Sequence, residues 1–296
     1  MINKVISPKN AEMPKTIQLK TKRGFLINAF ENDSITEEIQ HQGEYDANTL
    51  ESLTDVLAKV QPRISLDVGA NIGNHALVIS GLTKKLIAFE PILFIYRLLS
   101  ENIEQNHIHN VDLQNLALSN ENKQVDIFVP DNNNLGSSSI EIKDGEGIKS
   151  LITAVRGDDF LHKNYPNEIV DFIKMDVEGH EASAIMGLKE TIQHSQPLLL
   201  LEWKSQNAKD KFQREKLFQT IFAGYKFYAL TYTANKKVYP RTLMGYFRRL
   251  FSRLLGSIWC LTEFSPGRSY SNVYFVPRRY QELFESFKYL DSKGKF

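Results

Sequence analysis

The amino-acid sequence predicts an α/β fold: a doubly wound, mostly parallel sheet of about seven strands with an antiparallel edge strand and a small N-terminal cap. Two observations lead to this prediction. From residue 64 onward, short strand-like runs alternate with helical stretches, which is typical of a parallel sheet with helices on both faces. The strand-like runs are also almost continuously apolar, as expected for strands that are buried on both sides.

The predicted elements follow one another along the chain without internal repeats. The predicted strands are 64–68, 85–90, 111–118, 171–177 and 197–203. The predicted helices are 71–80, 91–107, 180–194 and 207–222. Two later β-like runs, 226–232 and 272–277, are predicted to close the sheet as an antiparallel edge pair. Right-handed crossovers between the parallel strands would then place helices on both faces of the sheet.

The main domain is predicted to comprise residues 61–280, with shorter segments at both ends. Residues 1–60 are mixed and acidic, and we expect them to form a cap or lid rather than a core of their own. Residues 119–160 are expected to be a hairpin-like insertion with a loop rich in Asn, Gly and Ser, a kind of segment that often binds ligands. Residues 281–296 are predicted to form a C-terminal tail.

Composition and charge indicate an ordinary globular protein. The chain has 296 residues, of which 42% are hydrophobic and 24% are charged, and its formal net charge of +1 does not suggest a nucleic-acid partner. The single cysteine, Cys260, cannot form an internal disulfide, which fits a reducing compartment. A polar N-terminus and the lack of a long uncharged apolar run lead us to expect a cytoplasmic protein.

The segment DVGANIG, residues 67–73, indicates a ligand-binding turn. Asp67 ends the first predicted parallel strand, and open α/β sheets bind ligands outside such strand ends. Gly69 and Gly73 allow a tight turn and a close approach of the backbone. Asn71 stands where the dinucleotide fingerprint has its second glycine, so a pyrophosphate is not favoured. An acidic strand end suits a ligand with a cationic or hydrogen-bond-donating end.

Glu90 ends the second predicted strand and places another acidic group at the same edge. A carboxylate at this position can accept hydrogen bonds from both hydroxyls of a ribose. A nucleoside with a positively charged amino-acid end describes S-adenosylmethionine, so these features together resemble class I methyltransferases. A lone strand-end aspartate is also a common helix cap, and the prediction therefore depends on both features being present.

A third group of polar residues follows the fourth predicted strand in KMDVEGHE, residues 174–181. The residues that would meet at the carboxyl edge are Asp176, Glu178, His180 and Glu181. Such groups can stabilise a sulfonium, and one of them can take the proton of an incoming hydroxyl. We expect Glu178 or His180 to be the base and Asp176 to orient the cofactor or the substrate hydroxyl.

The combination of motifs resembles the FkbM-type family of class I S-adenosylmethionine-dependent methyltransferases. The resemblance extends from about residue 35 to 277 and is carried by DVGANIGNHA, AFEP, NLAL, GDDFL, IKMDVEGHE, MGL, QPLLLLEW and NVYFVP. It implies a Rossmann-like fold, S-adenosylmethionine as the methyl donor and O-methylation of a sugar, glycolipid, polysaccharide precursor or natural product.

By position, the resemblance also implies which residues form the site. The implied cofactor-binding residues are Asp67, Gly69, Asn71, Gly73 and Glu90, with Asn115 and Ala117 at the adenine pocket. We also predict that Ala70, Asn74 and Asp176 bind the cofactor. Asp176 and Glu178 match the family's active-site acidic motif, and together with His180, the other candidate base, they are the predicted catalytic residues. His75 opens the first predicted helix and could reach the site, although a lone helical histidine is more often structural.

The acidic residues also permit a metal site, which we do not expect. Asp176, Glu178 and Glu202 could hold a magnesium ion through oxygen ligands. Carboxylates beside a sulfonium need no metal to explain them, however. Activity that survives EDTA would exclude the metal.

Residues 240–259 form a basic, amphipathic segment. Nine apolar residues recur at helical spacing, while Arg248, Arg249 and Arg253 fall elsewhere on the helical wheel. The apolar positions are Leu243, Tyr246, Phe247, Leu250, Phe251, Leu254, Leu255, Ile258 and Trp259. The pattern predicts a helix that packs over the sheet or substrate mouth, or one that lies on an anionic membrane.

Two other functions remain open at this stage. The first is a nicotinamide-dependent oxidoreductase on the same kind of sheet, which the missing G-x-G-x-x-G disfavours. The second is a non-catalytic binding module, which would not need this set of site residues together. A base substrate is not expected, because the Asn/Asp-Pro-Pro-aromatic element that usually holds a flipped base is missing.

Overall fold

A computed structural model of the chain describes residues 15–130, 147–234, 257–287 and 289–290. The strands are β1 Thr16–Lys20, β2 Leu26–Phe30, β3 Ile64–Val68, β4 Lys85–Phe89, β5 Val111–Gln114, β6 Ala117–Ser119, β7 Lys123–Pro130, β8 Gly147–Arg156, β9 Val170–Met175, β10 Leu198–Trp203, β11 Lys226–Ala234, β12 Ser257–Glu263, β13 Tyr270–Val276 and β14 Tyr289–Leu290. The helices are α1 Ser34–Gln42, α2 Ala47–Val60, α3 Asn74–Ser80, α4 Leu93–Gln105, α5 Gly157–Asn164, α6 Glu181–Gly187, α7 Lys189–Ser195, α8 Gln206–Arg214, α9 Leu217–Thr220 and α10 Gln281–Glu285.

The centre of the fold is a mixed sheet with the order β14-β12-β11-β13-β10-β9-β3-β4-β5. Strands β10, β9, β3, β4 and β5 are parallel neighbours, whereas β13 is antiparallel to β10. The predicted α/β fold is confirmed, as is the antiparallel pairing of β11 with β13. Within the described ranges the sheet has nine strands rather than about seven, and β12 and β14 extend it beyond the predicted edge pair.

The chain leaves the central sheet where one continuous strand is predicted over 111–118. Strand β5 ends at Gln114, and β6 instead pairs with β8 in a separate three-stranded sheet. The break falls at Asn115, whose side-chain amide donates to the carbonyl oxygens of Glu90 and Pro91, each at 2.9 Å. Strands β7 and β8 are antiparallel neighbours, as expected for the hairpin-like insertion.

The predicted helix 180–194 is divided into α6 and α7 at Leu188. The fully buried carboxylate of Asp158 stabilises the start of α7. It accepts hydrogen bonds from the backbone N–H groups of Glu190 and Thr191, each at 2.9 Å, and from the Thr191 hydroxyl at 2.7 Å. A carboxylate at a helix N-terminus satisfies backbone donors that have no partner within the helix. The predicted helix 207–222 is likewise divided, into α8 and α9.

The N-terminal segment packs against one face of the central sheet. Leu50, Leu53 and Leu57 of α2 are fully or almost fully buried in the same hydrophobic core as sheet residues such as Leu200. The Ser52 hydroxyl lies 2.6 Å from the hydroxyl of Tyr274 on β13. This segment therefore shares the core of the sheet, and its turn between α1 and α2 reaches the carboxyl ends of the parallel strands.

The prediction of an amphipathic helix over residues 240–259 is wrong for residues 257–259. Residues 257–259 belong to β12, where the Trp259 indole is buried and donates to Asp55 Oδ2 at 2.8 Å. β12 pairs with β11, so a long-range pairing outweighs the local helical pattern here. Residues 240–256 lie outside the described residues. None of the helices in the described ranges is long and apolar enough to cross a bilayer.

Candidate functional site

A cavity lies at the carboxyl ends of β3, β4 and β9, where the strand order reverses on either side of β3. Ligands of open α/β sheets bind at such a switch point. The N-terminal segment, the turn after β3 and the loop after β9 supply most of its wall. Residues that line it include Tyr45, Gly69, Ala70, Asn71, Asn74, His75, Phe89, Glu90, Ile92, Ala117, Leu118, Lys174, Asp176, Glu178, His180 and Lys204.

Gly69 permits the turn after β3 to lie against the loop after β9. Its φ angle is +79°, and a Cβ added to it would lie 1.9 Å from the carbonyl oxygen of Asp176. The N–H groups of Gly69 and Ala70 donate to the carbonyl oxygen of Phe89 at 3.0 and 2.9 Å, which fixes the turn beside the end of β4. Only glycine fits both the positive φ and this contact.

Glu90 presents its carboxylate to the cavity from the end of β4. Its two oxygens accept hydrogen bonds from the backbone N–H groups of Asn71 at 3.0 Å and Ile92 at 2.9 Å. Burial raises the pKa of Glu90 to about 7, despite these two hydrogen bonds. Each oxygen retains acceptor capacity, since a carboxylate offers about four lone-pair sites. The carboxylate is therefore held in position to accept hydrogen bonds from a pair of hydroxyl groups.

Asp67 lies behind the cavity wall rather than on it. Its side chain is fully buried, and Asp67 stands directly opposite Lys174 in the parallel register of β3 and β9. Lys174 Nζ is 3.2 Å from Asp67 Oδ1 and donates to the carbonyl oxygen of Gly69 at 3.0 Å. The residue of this pair that lines the cavity is the lysine.

Three carboxylates gather after β9 and β10. Oxygen atoms of Asp176, Glu178 and Glu202 all lie within 4.8 Å of one another. Burial and the neighbouring Asp176 raise the pKa of Glu178, and the same two causes raise the pKa of Glu202 to about 8. Glu202 pairs with Lys204 at 2.5 Å and does not line the cavity, whereas Asp176 and Glu178 do. Oxygen ligands in this arrangement suit a hard cation, but the ammonium of Lys204 already neutralises part of the charge.

His180 and Glu181 have different surroundings although they are adjacent. His180 lines the cavity, its Nε2 lies 3.1 Å from the hydroxyl oxygen of Ser119, and burial lowers its pKa to about 4. Glu181 Oε1 accepts hydrogen bonds from the N–H groups of Val177 at 3.3 Å and Gly179 at 3.1 Å. Glu181 therefore stabilises the loop 176–180 and does not face the cavity.

The N-terminal segment contributes polar groups to the opposite wall. The carbonyl oxygen of Tyr45 accepts from the Asn74 amide at 3.1 Å, and the Tyr45 ring lines the cavity. Burial, and then the charge of Asp176, raises the pKa of the Tyr45 hydroxyl, so it stays protonated at neutral pH. His75 Nε2 lies 3.3 Å from Asp46 Oδ2. This pair fixes the histidine ring against the segment that covers the cavity.

The structure brings most of the sequence-predicted residues together. Nine of them line the cavity: Gly69, Ala70, Asn71, Asn74, Glu90, Ala117, Asp176, Glu178 and His180. Asp67, Gly73 and Asn115 do not line it. Gly73 begins α3 at a φ of +99°, and Asn115 holds the backbone after Glu90. That these three residues belong to the cofactor site remains a prediction, and each would act there through its neighbours rather than by direct contact.

Among the wall residues that sequence reasoning missed are two lysines and a tyrosine: Lys174, Lys204 and Tyr45. Lys174 stands two positions before Asp176, and the alternation of side chains along a strand could have placed both on one face. Lys204 directly follows β10, so the rule on strand ends could have found it. Tyr45 comes from a distant segment, and nothing in the sequence near the motifs points to it.

Comparison with known proteins adds the family. The Methyltransferase FkbM domain matches residues 67–227, more than half of the chain. No curated protein matches the chain in sequence. Among solved structures, the methyltransferase FkbM from Methylobacillus flagellatus is 15% identical with a TM-score of 0.44. The match covers 73% of this chain but only 44% of that protein, so this chain spans less than half of its length.

Two further solved structures have similarly low scores. A precorrin-6y C5,15-methyltransferase from Geobacter metallireducens is 14% identical, with coverage of 79% of this chain and 90% of the other and a TM-score of 0.40. An rRNA methylase from Streptococcus thermophilus is 13% identical, with coverage of 77% and 95% and a TM-score of 0.39. The assignment rests on the domain match, which includes the turn after β3, Glu90 and the loop after β9. The chain belongs to the FkbM methyltransferase family.

Proposed function

We propose that the protein is an S-adenosylmethionine-dependent O-methyltransferase that acts on a hydroxyl of a sugar, a glycolipid or polysaccharide precursor, or a natural product. The observation that carries this proposal is the position of Glu90 and the Asp176/Glu178 pair on the wall of one cavity. Glu90 can accept hydrogen bonds from a ribose, and the Asp176/Glu178 pair can take a proton from a nucleophile beside the methyl group.

The cavity wall suits the cofactor in three places. The Glu90 carboxylate would accept hydrogen bonds from the ribose hydroxyls, since backbone N–H groups hold both of its oxygens in position. The apolar side chains of Phe89, Ile92 and Leu118 line the same cavity and would contact the adenine. Asp176 would face the positively charged end of the molecule. When bound, the cofactor supplies an activated methyl group.

The protein's own residues have two tasks in the transfer. They align the acceptor hydroxyl with the methyl group, and alignment alone can supply about 7–11 kcal/mol of the barrier. They also take the hydroxyl proton, because an alcohol is a weak nucleophile at neutral pH, and a positioned base contributes roughly 10²–10⁴-fold.

Glu178 is the base that the site favours. A base works best when its pKa lies close to the operating pH, and the pKa of Glu178 is raised toward that range. His180 lines the cavity too, but its pKa of about 4 makes it a weaker base. Glu202 has a raised pKa but does not reach the cavity wall.

Two experiments test this function. Calorimetry should show binding of S-adenosylhomocysteine to the wild-type protein and no comparable binding of NAD. Polysaccharide and lipid fractions incubated with protein and S-adenosylmethionine should contain a product heavier by the mass of one CH₂ group. If S-adenosylhomocysteine does not bind, the proposed cofactor is wrong. If a methylated nitrogen is found instead of a methylated oxygen, the proposed reaction is wrong.

The same assay decides the question of a metal. Activity should survive EDTA, because the lysines near Asp176, Glu178 and Glu202 offset the charge that a cation would neutralise. Loss of activity in EDTA that added magnesium restores would show that this carboxylate cluster binds a metal.

A further inference from the structure

Lys174 places a buried ammonium group in the cavity wall next to the turn after β3. Its side chain is 6% exposed, and its Nζ donates to the carbonyl oxygen of Gly69 at 3.0 Å and forms an ion pair with Asp67 Oδ1 at 3.2 Å. An ammonium group has three donors. One of them is directed to the Gly69 carbonyl oxygen, so the group retains donor capacity for a ligand in the cavity.

The surroundings keep this lysine charged. Burial acts to lower its pKa, but Asp67, Asp176 and Glu202 outweigh burial, so the pKa of Lys174 lies above its ordinary value. Asp67 is fully buried and adjacent to Lys174 in register on the neighbouring parallel strand. A buried ion pair is a poor source of stability, so stability alone does not explain a pair at this position.

The chemistry of the cavity wall matches an amino acid. Lys174 lies at the end of β9, and Asp176 directly follows this strand. Both line the cavity. The methionine end of S-adenosylmethionine carries one carboxylate and one ammonium group, and a lysine beside an aspartate offers a partner of opposite charge to each.

We propose that Lys174 binds the carboxylate of the cofactor's methionine end and that Asp67 is a positioning residue, which orients Lys174 through their ion pair. This inference rests on the proposed cofactor, S-adenosylmethionine. It replaces the expectation that Asp67 itself contacts the cationic end of the cofactor, because Asp67 lies behind the lysine.

The experiment compares two ligands that differ in one group. Calorimetry measures binding of S-adenosylhomocysteine and of S-adenosyl-3-thiopropylamine, which lacks only the carboxylate. The proteins are wild type, Lys174→Met, the double variant Lys174→Met/Asp67→Asn, Asp67→Asn and the control Lys209→Met. Lys209 is also a buried lysine with a hydrogen bond, to Ser269 Oγ at 2.7 Å, but it lies on α8 away from the cavity.

Wild type and Lys209→Met should prefer S-adenosylhomocysteine by roughly 10- to 100-fold, the value of a charge-assisted hydrogen bond. Lys174→Met and the double variant should lose this preference, and Asp67→Asn should reduce it. The double variant removes both charges, so it remains informative if Lys174→Met fails to fold around an unpaired Asp67.

Two results would contradict the inference in different ways. An unchanged preference in the double variant would show that Lys174 does not bind the carboxylate, while the proposed cofactor would stand. Failure of both ligands to bind wild type would instead refute the proposed cofactor, and the inference with it.

Discussion

Gly69 offers the sharpest test of how the site is built, through the variant Gly69→Ala. The added Cβ would lie 1.9 Å from the Asp176 carbonyl oxygen, and real Cβ atoms are essentially never closer than 3.0 Å to such an atom. The turn after β3 and the loop after β9 must therefore separate by about 1.1 Å, which strains the 3.0 Å hydrogen bond from Asp176 N to the Val68 carbonyl oxygen.

The expected cost has two parts. A non-glycine residue at a φ of +79° costs about 1–3 kcal/mol, and overpacking against the backbone adds about 1–3 kcal/mol. A displacement near 1 Å at the active-site loop can also reduce turnover by about 10²-fold. Gly69→Ala should therefore lower both the free energy of unfolding and the activity of the folded fraction.

Gly24→Ala is the matched control. Gly24 also has a positive φ, of +92°, but nothing lies within 4 Å of the Cβ that alanine would add. Urea unfolding followed by circular dichroism would measure both variants against wild type. The difference between them isolates the contact with Asp176. If Gly69→Ala is no less stable than Gly24→Ala, the turn after β3 and the loop after β9 do not lie as close together as described.

Three other predictions concern single side chains. Asp158→Ala should lower the free energy of unfolding by about 2–4 kcal/mol, because it leaves buried donors at the start of α7 without a partner. Asp159→Ala removes only an exposed ion pair with Arg156 and a hydrogen bond from Asn122, so it should lower this free energy by no more than about 1 kcal/mol in the same urea titration. Below its ordinary pKa of 6.5 and down to about 4, His180 binds a proton in the unfolded chain but not in the folded protein. In urea titrations at decreasing pH, His180→Gln should therefore gain stability relative to wild type through this window, by about 3 kcal/mol. Glu178→Gln should lower turnover, measured by single-turnover kinetics, by roughly 10²–10⁴-fold. Its dissociation constant for S-adenosylhomocysteine, measured by calorimetry, should change by less than about twofold. Equal losses of turnover and of binding would show that Glu178 is not the base.

The sequence predicts the parallel half of the fold well because each of its strands is a short, continuous apolar run. Strands β3, β4, β9 and β10 all lie within one or two residues of their predicted bounds. The same signal fails where pairing partners are distant in sequence. Residues 257–259 continue a helical pattern, yet β12 forms there because β11 supplies a partner strand. Likewise, no local periodicity shows that the chain changes sheets at Asn115.

For the site, the sequence predicts which segments meet but not which side chain faces the ligand. Strand ends fix the neighbourhood of Asp67, Glu90 and Asp176. Which of two adjacent charged residues lines the cavity depends on register, and the register of β3 with β9 places Asp67 opposite Lys174. The contribution of Tyr45 depends on how the N-terminal segment packs, which motifs in the parallel half cannot encode.

The charges of the site divide into those that hold the loops and those that face the ligand. Glu181 accepts hydrogen bonds from backbone N–H groups. Asp67 forms an ion pair with Lys174, and Glu202 forms one with Lys204. Asp176 and Glu178 are the two carboxylates of the loop 176–180 that line the cavity. Glu181 holds the loop 176–180 from within, and the Asp176 N–H donates to the Val68 carbonyl oxygen, so the backbone that carries these two carboxylates is held beside the turn after β3. Such preorganisation is what electrostatic stabilisation of a transferring methyl group requires.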